Sequence, residues 1–137
     1  MAKTFRLEIV TPEKLVYSED VISVVVPAER GYLGVLAGHA PLLCSLKPGE
    51  IKIRRESGEL LYATSGGFME VTPKKTSILS ESTEAPEAID PARASKARQR
   101  AKERLATFNK DVDRPRAEAA AARAENRIRV VKNGRRV

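Results

Sequence analysis

Residues 89–105 read IDPARASKARQRAKERL, and they mark the point at which the chain changes from one kind of structure to another. Asp90 is a residue type that caps helix N-termini, and Pro91 takes the first helical position, where its missing N–H costs nothing. Small apolar residues then recur at spacings of three and four: Ala94, Ala97, Ala101 and Leu105. This spacing predicts an amphipathic helix with a narrow apolar stripe.

A second helix is predicted after the interruption FNKDVD at residues 108–113. Asp113 can cap it, and Pro115 is tolerable only within its first turn. Its apolar stripe is again built mostly from small residues: Ala117, Ala120, Ala121, Ala124, Ile128 and Val131. Two such helices with a short connection near Lys110 predict an antiparallel hairpin. Because alanine buries little area, we expect this hairpin to be held loosely and to be a moving part.

The residues before 86 show the two-residue period of β-strands instead of a helical period. Four segments carry this signal: FRLEIV at 5–10, VISVVVPA at 21–28, IKIRRESGELLYATSGG at 51–67 and GGFMEVTPKKTSILS at 66–80. Within them we expect a strand end at Pro27, a hairpin turn at Ser57-Gly58 and a break at Pro73. The closely spaced turn signals favour an antiparallel sandwich or barrel. The expected fold class is therefore α+β, with an antiparallel β-sandwich at 1–86 followed by an antiparallel two-helix hairpin at 87–137.

The charge of the chain is concentrated in the predicted hairpin. The whole chain has 25 Lys and Arg against 18 Asp and Glu, a net charge of +7. Residues 1–86 hold 10 of these cations and 11 of the anions, so residues 87–137 hold 15 and 7, a net charge of +8. Such a local excess indicates an anionic partner. No apolar run approaches the roughly 18 residues of a membrane span, and one histidine and one cysteine do not make a conventional zinc site.

Four arginines of the hairpin are expected to lie close together. Arg93 and Arg127 are each 17 residues from the predicted turn, so they share a height, and Arg100 and Arg123 match to within one helical turn. An oligophosphate or a carboxylate-bearing surface would neutralise such a cluster. The residues alone leave a plainer interpretation open, in which the basic stripe is a solvated face and Asp90 is only a cap.

Two sequence blocks and their order resemble a known family. GYLGVLAGHAPLLCSLKPGEIKI at 31–53 and ATSGGFMEV at 63–71, followed by a basic hairpin that opens with ID-x-x-RA, resemble the epsilon subunits of F-type ATP synthases over almost the whole chain. The resemblance implies a non-catalytic rotor subunit of the central stalk, whose sandwich binds the gamma subunit and rests on the ring of c subunits. It implies that the hairpin either folds against the sandwich or extends along gamma into the catalytic alpha/beta head, where it inhibits ATP hydrolysis. The implied location is the cytoplasmic face of the bacterial plasma membrane, as a peripheral subunit that meets the membrane only through the complex.

The resemblance also implies a regulatory ligand, because some members of this family bind ATP on the folded hairpin. The residues that match their pattern are Glu84, Ile89, Asp90, Arg93, Ala94, Arg100, Arg123 and Arg127. By analogy, Arg100, Arg123 and Arg127 face the phosphates. The adenosine end is formed by Ile89, Asp90 and Ala94, with Glu84 and Arg93 beside them. Pro91 departs from the family pattern, in which a bulky apolar residue follows the aspartate, and no other cofactor or metal is implied.

The resemblance further implies a c-ring contact around the loops of residues 29–39. The residues concerned are Glu29, Gly31, Gly34, Gly38 and His39. His39 has a plainer interpretation as an ordinary loop residue. Phe68 and Val71 are expected to be core residues rather than contacts.

A nucleic-acid-binding protein with a basic helical hairpin is the alternative function. It requires aromatic or amide side chains that contact bases, and the candidates on the hairpin are Phe108, Asn109, Gln99 and Asn126. Nucleic acid is therefore not expected as a partner. A stand-alone enzyme is expected still less, because the sequence shows no Ser/His/Asp set and GVLAGHA lacks the lysine of a Walker phosphate loop.

Overall fold

The computed structural model describes residues 3–107 and 111–134. Within these ranges the chain forms ten strands, one 3-10 turn and two helices. The strands are β1 (Phe5–Val10), β2 (Leu15–Val21), β3 (Ser23–Ala28), β4 (Gly31–Leu36), β5 (Leu42–Leu46), β6 (Gly49–Arg55), β7 (Gly58–Thr64), β8 (Gly67–Val71), β9 (Thr76–Ser80) and β10 (Thr83–Glu84). The 3-10 turn is Pro86–Ala88, and the helices are α1 (Pro91–Ala106) and α2 (Arg114–Gly134). The predicted α+β fold class is confirmed.

The strands form one continuous hydrogen-bonded path in the order β10-β7-β6-β3-β5-β8-β9-β1-β2, with β4 paired to β3. The ladders are antiparallel except for β1 against β9, which is parallel. No periodicity predicts that exception, because β9 lies more than sixty residues from β1 in the chain. The parallel pair joins the N-terminal hairpin to the rest of the sheet.

The core lies between the inward faces of the strands. Leu7 and Ile9 are fully buried, whereas Arg6 and Glu8 of the same strand face outward, as the alternation predicts. The two residues of β8 that are expected in the core differ in their burial. Val71 is buried, but Phe68 is 56% exposed, so the interpretation of Phe68 as a core residue is wrong. The physical reason is strand parity, because Met69 and Val71 point inward and Phe68 must point outward.

Two predicted strand ends are displaced by one residue. β3 continues through Pro27 to Ala28, because Pro27 lies opposite Tyr32 in the ladder and its carbonyl accepts a hydrogen bond from the amide of Lys47 (2.9 Å). The hairpin between β6 and β7 turns at residues 56–57, so Gly58 is the first residue of β7 and has a φ of 127°. Glycine adopts that conformation without the strain that a side chain would cause. The break at Pro73, between β8 and β9, is confirmed.

Both helices begin where the capping residues predict. The carboxylate of Asp90 accepts hydrogen bonds from the amides of Ala92 (3.0 Å) and Arg93 (3.2 Å), and Pro91 opens α1. The carboxylate of Asp113 accepts from the amide of Arg116 (3.1 Å), with Pro115 in the first turn of α2. The alanine stripes face each other, and Ala94, Ala101, Ala117 and Ala124 are buried between the helices. The predicted turn near Lys110 lies outside the described residues.

The second helix contacts more than its partner helix. Val130 is completely buried and packs with Val131 of α2, Ala63 of β7 and Ile89, which precedes α1. Val130 lies outside the predicted alanine stripe, so the stripe does not predict this second apolar contact. It seats α2 on the sandwich as well as on α1.

Tyr17 connects β2, at one end of the strand path, with β7, which is next to the other end. Its ring lies edge-on to that of Tyr62 on β7, with centroids 6.1 Å apart. Its hydroxyl donates to the carboxylate of Glu19 (3.2 Å), which also accepts from Arg55 on β6 (3.1 Å). Burial and the neighbouring Glu19 carboxylate raise the pKa of Tyr17 to about 12.

This pKa predicts that Tyr17 contributes stability that is lost at alkaline pH. Between about pH 10 and about pH 12 the unfolded chain has released the tyrosine proton, which has an ordinary pKa of about 10, while the folded chain retains it. The free energy of unfolding therefore falls as pH rises through this window. We expect the stability difference between the wild type and Tyr17→Phe, measured by urea unfolding, to be constant below about pH 9 and to shrink above about pH 10. The exposed Tyr32→Phe variant is the control, and a Tyr17→Phe difference that stays constant through the window would contradict the assignment.

Candidate functional site

An arginine-lined cleft lies where the sandwich meets the helical hairpin. It has a volume of about 260 Å³ and is walled by β10, by the start of α1 and by α2. Its lining residues are Glu84, Ala88, Ile89, Asp90, Arg93, Ala94, Ala97, Arg100 and Arg127. Seven of the eight residues singled out in the sequence are thus in one cleft, and the eighth, Arg123, is not among its lining residues.

Arg123 lies in a narrow crevice that adjoins the cleft on the sandwich side. It lines this crevice together with Arg127, Glu84, Thr64 of β7 and two serines that lie outside the strands, Ser65 and Ser82. The spacing of four residues does put Arg123 and Arg127 on one face of α2. That face points at the joint between the helices and the sheet, so only Arg127 reaches both spaces.

Arg127 and Glu84 form the ion pair at the centre of the site. The Nε of Arg127 donates to a carboxylate oxygen of Glu84 at 2.7 Å, and the two side chains are 33% and 31% exposed. The hydroxyl of Ser82 lies 3.4 Å from the same oxygen and donates to it. Glu84 takes one of the five N–H donors of the guanidinium group, so the remaining donors of Arg127 can contact a ligand.

The cleft carries unneutralised positive charge. Arg93 and Arg100 are exposed, and neither has an ion-pair partner within residues 3–107 and 111–134. Asp90 directs its carboxylate at the first amides of α1. Guanidinium groups held in this way favour bidentate contacts with phosphate or carboxylate oxygens.

A larger open cleft of about 700 Å³ continues from the first one. The two share Glu84, Ala88, Arg93 and Arg127 along their common border. The larger cleft extends to the turn between β1 and β2, where Lys14 lies. No sequence pattern points to Lys14, because it lies about seventy residues before Glu84, the first residue that the two clefts share.

Ile89 and Ala94 offer little surface to a ligand. They are 6% and 4% exposed, and Ile89 belongs to the apolar cluster that joins α2 to the sandwich. Ala88 and Ala97 also line the cleft and were not singled out, although Ala97 belongs to the predicted stripe. The described residues contain no group of three or more His, Cys, Asp or Glu that could hold a metal ion.

The residues expected at the c-ring lie along a single hairpin of the sandwich. Glu29 and Gly31 flank the turn between β3 and β4, and Gly34 lies within β4. Gly38 and His39 follow the other end of β4, where they line a cleft of about 400 Å³ together with the turn between β8 and β9. Gly38 has a φ of 83°, a conformation that favours glycine. Four of the five residues therefore lie at the two ends of β4 and the fifth, Gly34, lies in its middle, so they do not form one loop.

The described part of the hairpin presents few side chains suited to contacting bases. Asn126 is 3% exposed, and the amide of Gln99 donates to Glu103 on its own helix (3.3 Å). Phe108 and Asn109 lie outside the described residues. Nothing in this geometry favours the nucleic-acid-binding alternative.

The protein is thus a β-sandwich with a helical hairpin seated on it, and exposed arginines line a cleft at their joint. Two family models match the chain: the β-sandwich domain of the ATP synthase delta/epsilon chain over residues 4–86, and the long α-helix domain of the same chain over residues 87–132. The chain belongs to the ATP synthase delta/epsilon family.

Individual relatives agree with this assignment. The ATP synthase epsilon chain of Desulforamulus reducens is 45% identical over 129 residues, which cover 94% of this chain and 98% of that one. The epsilon chain of Bacillus velezensis is 44% identical over 131 residues, covering 96% and 99%. These relatives confirm the expectation that the chain is a non-catalytic stalk subunit of ATP synthase and not an enzyme in itself.

Solved structures show the same fold. A chain of the Euglena gracilis mitochondrial ATP synthase, determined with OSCP, F1 and the c-ring, aligns with a TM-score of 0.80 and 26% identity over 90% of this chain and 78% of that one. A chain from the central stalk and c-ring of the Tetrahymena thermophila enzyme aligns with a TM-score of 0.56 at 18% identity, which supports the fold alone. No helix in the described residues is long and apolar enough to cross a membrane.

The two roles of Asp90, helix cap and cleft residue, can be separated by substitution. Asp90→Ala removes the acceptor for the amides of Ala92 and Arg93, and loss of an N-cap costs about 1 kcal/mol, roughly a five-fold change in local opening. Asp90→Asn keeps an oxygen acceptor and should keep the cap. We expect hydrogen exchange at the Arg93 amide, followed by NMR, to accelerate in Asp90→Ala and to stay near the wild-type rate in Asp90→Asn. Equal rates in both variants would show that the cap does not stabilise α1.

Proposed function

We propose that this subunit couples the gamma subunit to the c-ring in the central stalk, and that its hairpin inhibits ATP hydrolysis when it extends toward the catalytic alpha/beta head. We also propose that ATP is a regulatory ligand of the arginine-lined cleft and stabilises the folded hairpin, with no other cofactor required. The location proposed is the cytoplasmic face of the bacterial plasma membrane, where the subunit is peripheral. The observation that carries the proposal is that three separate elements wall the cleft.

The composition of the cleft explains how a ligand would act on the hairpin. Glu84 belongs to the sandwich, Arg93 and Arg100 belong to α1, and Arg127 belongs to α2. A ligand that contacts all three elements binds only while the hairpin is folded against the sandwich. By mass action it stabilises that state, by about 2.7 kcal/mol at one hundred times its Kd. ATP would thereby oppose extension of the hairpin and the inhibition that follows from it.

The charges of the cleft suit an oligophosphate. Arg93 and Arg100 supply two exposed guanidinium groups, and Arg127 supplies its remaining N–H donors. Glu84 would repel a phosphate, but its pairing with Arg127 offsets that charge. The arrangement binds phosphate oxygens without providing a nucleophile or a general base aimed at them. We therefore expect bound ATP to remain intact.

The sandwich offers an apolar surface suited to the gamma subunit. Leu43, Phe68 and Leu79 are 68%, 56% and 53% exposed and lie on the outer face of neighbouring strands β5, β8 and β9. Phe68 is directly opposite Leu79 in the ladder. Exposed apolar groups that cluster in this way mark protein interfaces. We assign this face to gamma, and the segment from Glu29 to His39 to the c-ring.

The first test concerns the arginines. The double variant Arg123→Ala/Arg127→Ala should abolish detectable ATP binding to the isolated full-length subunit in a calorimetric titration. Arg100→Ala alone should weaken binding roughly ten-fold or more, because a hydrogen bond to a charged group contributes about 1.5–3 kcal/mol.

Arg104→Ala is the matched control for this titration. Arg104 is an exposed arginine of the same helix as Arg100, in its last turn, and does not line the cleft. Its loss should leave the affinity within about two-fold of the wild type, since only screened surface charge is removed. Unchanged ATP affinity in the double variant would refute the cleft assignment.

The second test concerns the hairpin. Deletion of residues 88–137 should leave assembly with gamma intact, because the proposed gamma surface is on β5, β8 and β9. The same deletion should raise the ATPase activity of the assembled complex, because the inhibitory element is gone. Gamma binding is measured by pull-down and hydrolysis by a coupled assay on the complex. Loss of assembly would show instead that the hairpin is the docking element.

A further inference from the structure

Asn126 makes a buried polar contact that the arginine cleft does not use. Its side-chain amide donates to the backbone carbonyl of Gly49 on β6 at 2.7 Å and to that of Thr64 on β7 at 3.4 Å. Gly49 and Thr64 are opposite each other in the β6–β7 ladder, so one side chain reaches both strands at one point. Asn126 is 3% exposed, and its Oδ1 is buried without a hydrogen-bond partner within the described residues.

The same face of α2 continues for two further turns. Val130 is completely buried, and the amide of Asn133 donates to the carboxylate of Glu50 at 3.2 Å. Residues 126, 130 and 133 are spaced by four and three, so they form one stripe directed at the sandwich. This stripe differs from the alanine stripe that faces α1.

The two stripes differ in how strictly they define position. Alanine side chains are alike, so a helix that turned slightly on its axis would still find similar contacts along α1. A polar contact is less tolerant, because a shift of one residue turns a side chain by about 100°. The Asn126 amide and the two carbonyls would then lose their hydrogen bonds inside an interface, which is costly.

We propose that Asn126 is a positioning residue that sets the register of α2 on the sandwich. Arg127 is the next residue in the chain. With the Asn126 amide bonded to the two backbone carbonyls, the Nε of Arg127 lies 2.7 Å from a carboxylate oxygen of Glu84. The register role concerns the subunit without ligand. Its consequence for ATP, that Asn126 places Arg127 in the cleft, rests on the proposed function.

Asn126→Leu tests this role because leucine keeps a branched side chain of four heavy atoms but has no donor. In uniformly labelled full-length subunit without nucleotide, we expect α2 amides to exchange roughly ten-fold faster, reflecting the two lost hydrogen bonds. The nuclear Overhauser contact between the methyl groups of Val130 and Ala63 should disappear. Ala122→Leu, which places leucine on the exposed side of α2, is the control and should match the wild type in both measurements.

Each outcome decides a separate statement. Wild-type exchange and an intact Val130–Ala63 contact in Asn126→Leu would overturn the register role. If the core amides of Leu7 and Ile78 also lose protection, leucine has destabilised the whole sandwich. The smaller substitution Asn126→Ala is then used, and α2 amide exchange and the Val130–Ala63 contact decide the register role in that variant. Calorimetric titration with ATP then follows, and a roughly ten-fold weaker affinity is expected in the variant. If the helix is displaced and the ATP affinity is undiminished, Asn126 does not position Arg127, but its register role stands. If the wild type itself does not bind ATP, the proposed ATP site is refuted and the register role is unaffected.

Discussion

The seat of α2 on strands β6 and β7 is the constraint on which the rest of the site depends. Ala63, Ile89 and Val130 form the apolar part of that seat, and the Asn126 amide forms its polar part. Only when α2 is seated does the Nε of Arg127 lie 2.7 Å from Glu84, and only then do β10, α1 and α2 enclose one cleft. Alanine side chains bury little area, so a few hydrogen bonds and one ion pair contribute much of what holds α2 in this position.

Much of the fold could be predicted from local rules. The caps at Asp90 and Asp113 are confirmed because N-cap preference depends only on adjacent amides. The strand alternation of Leu7 and Ile9 is confirmed for the same local reason. Long-range features could not be predicted in this way. Periodicity does not reveal the parallel pairing of β1 with β9. The core position predicted for Phe68 is wrong because strand parity directs its side chain outward.

The candidate site shows the same division between local and long-range information. Counting residues from the predicted turn put Arg93 and Arg127 at one height, and the structure places both in one cleft with Arg100. Counting could not give the rotation of α2 about its axis, which directs Arg123 into the adjoining crevice. That rotation is set by Val130 and Asn126, which the alanine stripe does not include. The adjacent Lys14 comes from a turn that no hairpin pattern could bring there.

The apolar row of Leu43, Phe68 and Leu79 has a consequence for the subunit before it joins a complex. Before assembly this apolar surface is exposed to solvent, and such surfaces favour association between copies of the same chain. The net charge of +7, which is the sum of +8 on residues 87–137 and −1 on residues 1–86, makes two copies repel each other. Repulsion of this kind opposes self-association of an unassembled chain, and it weakens as physiological ionic strength shortens the Debye length to about 8 Å. The basic hairpin would then serve as a solubilising group during the interval between synthesis and assembly.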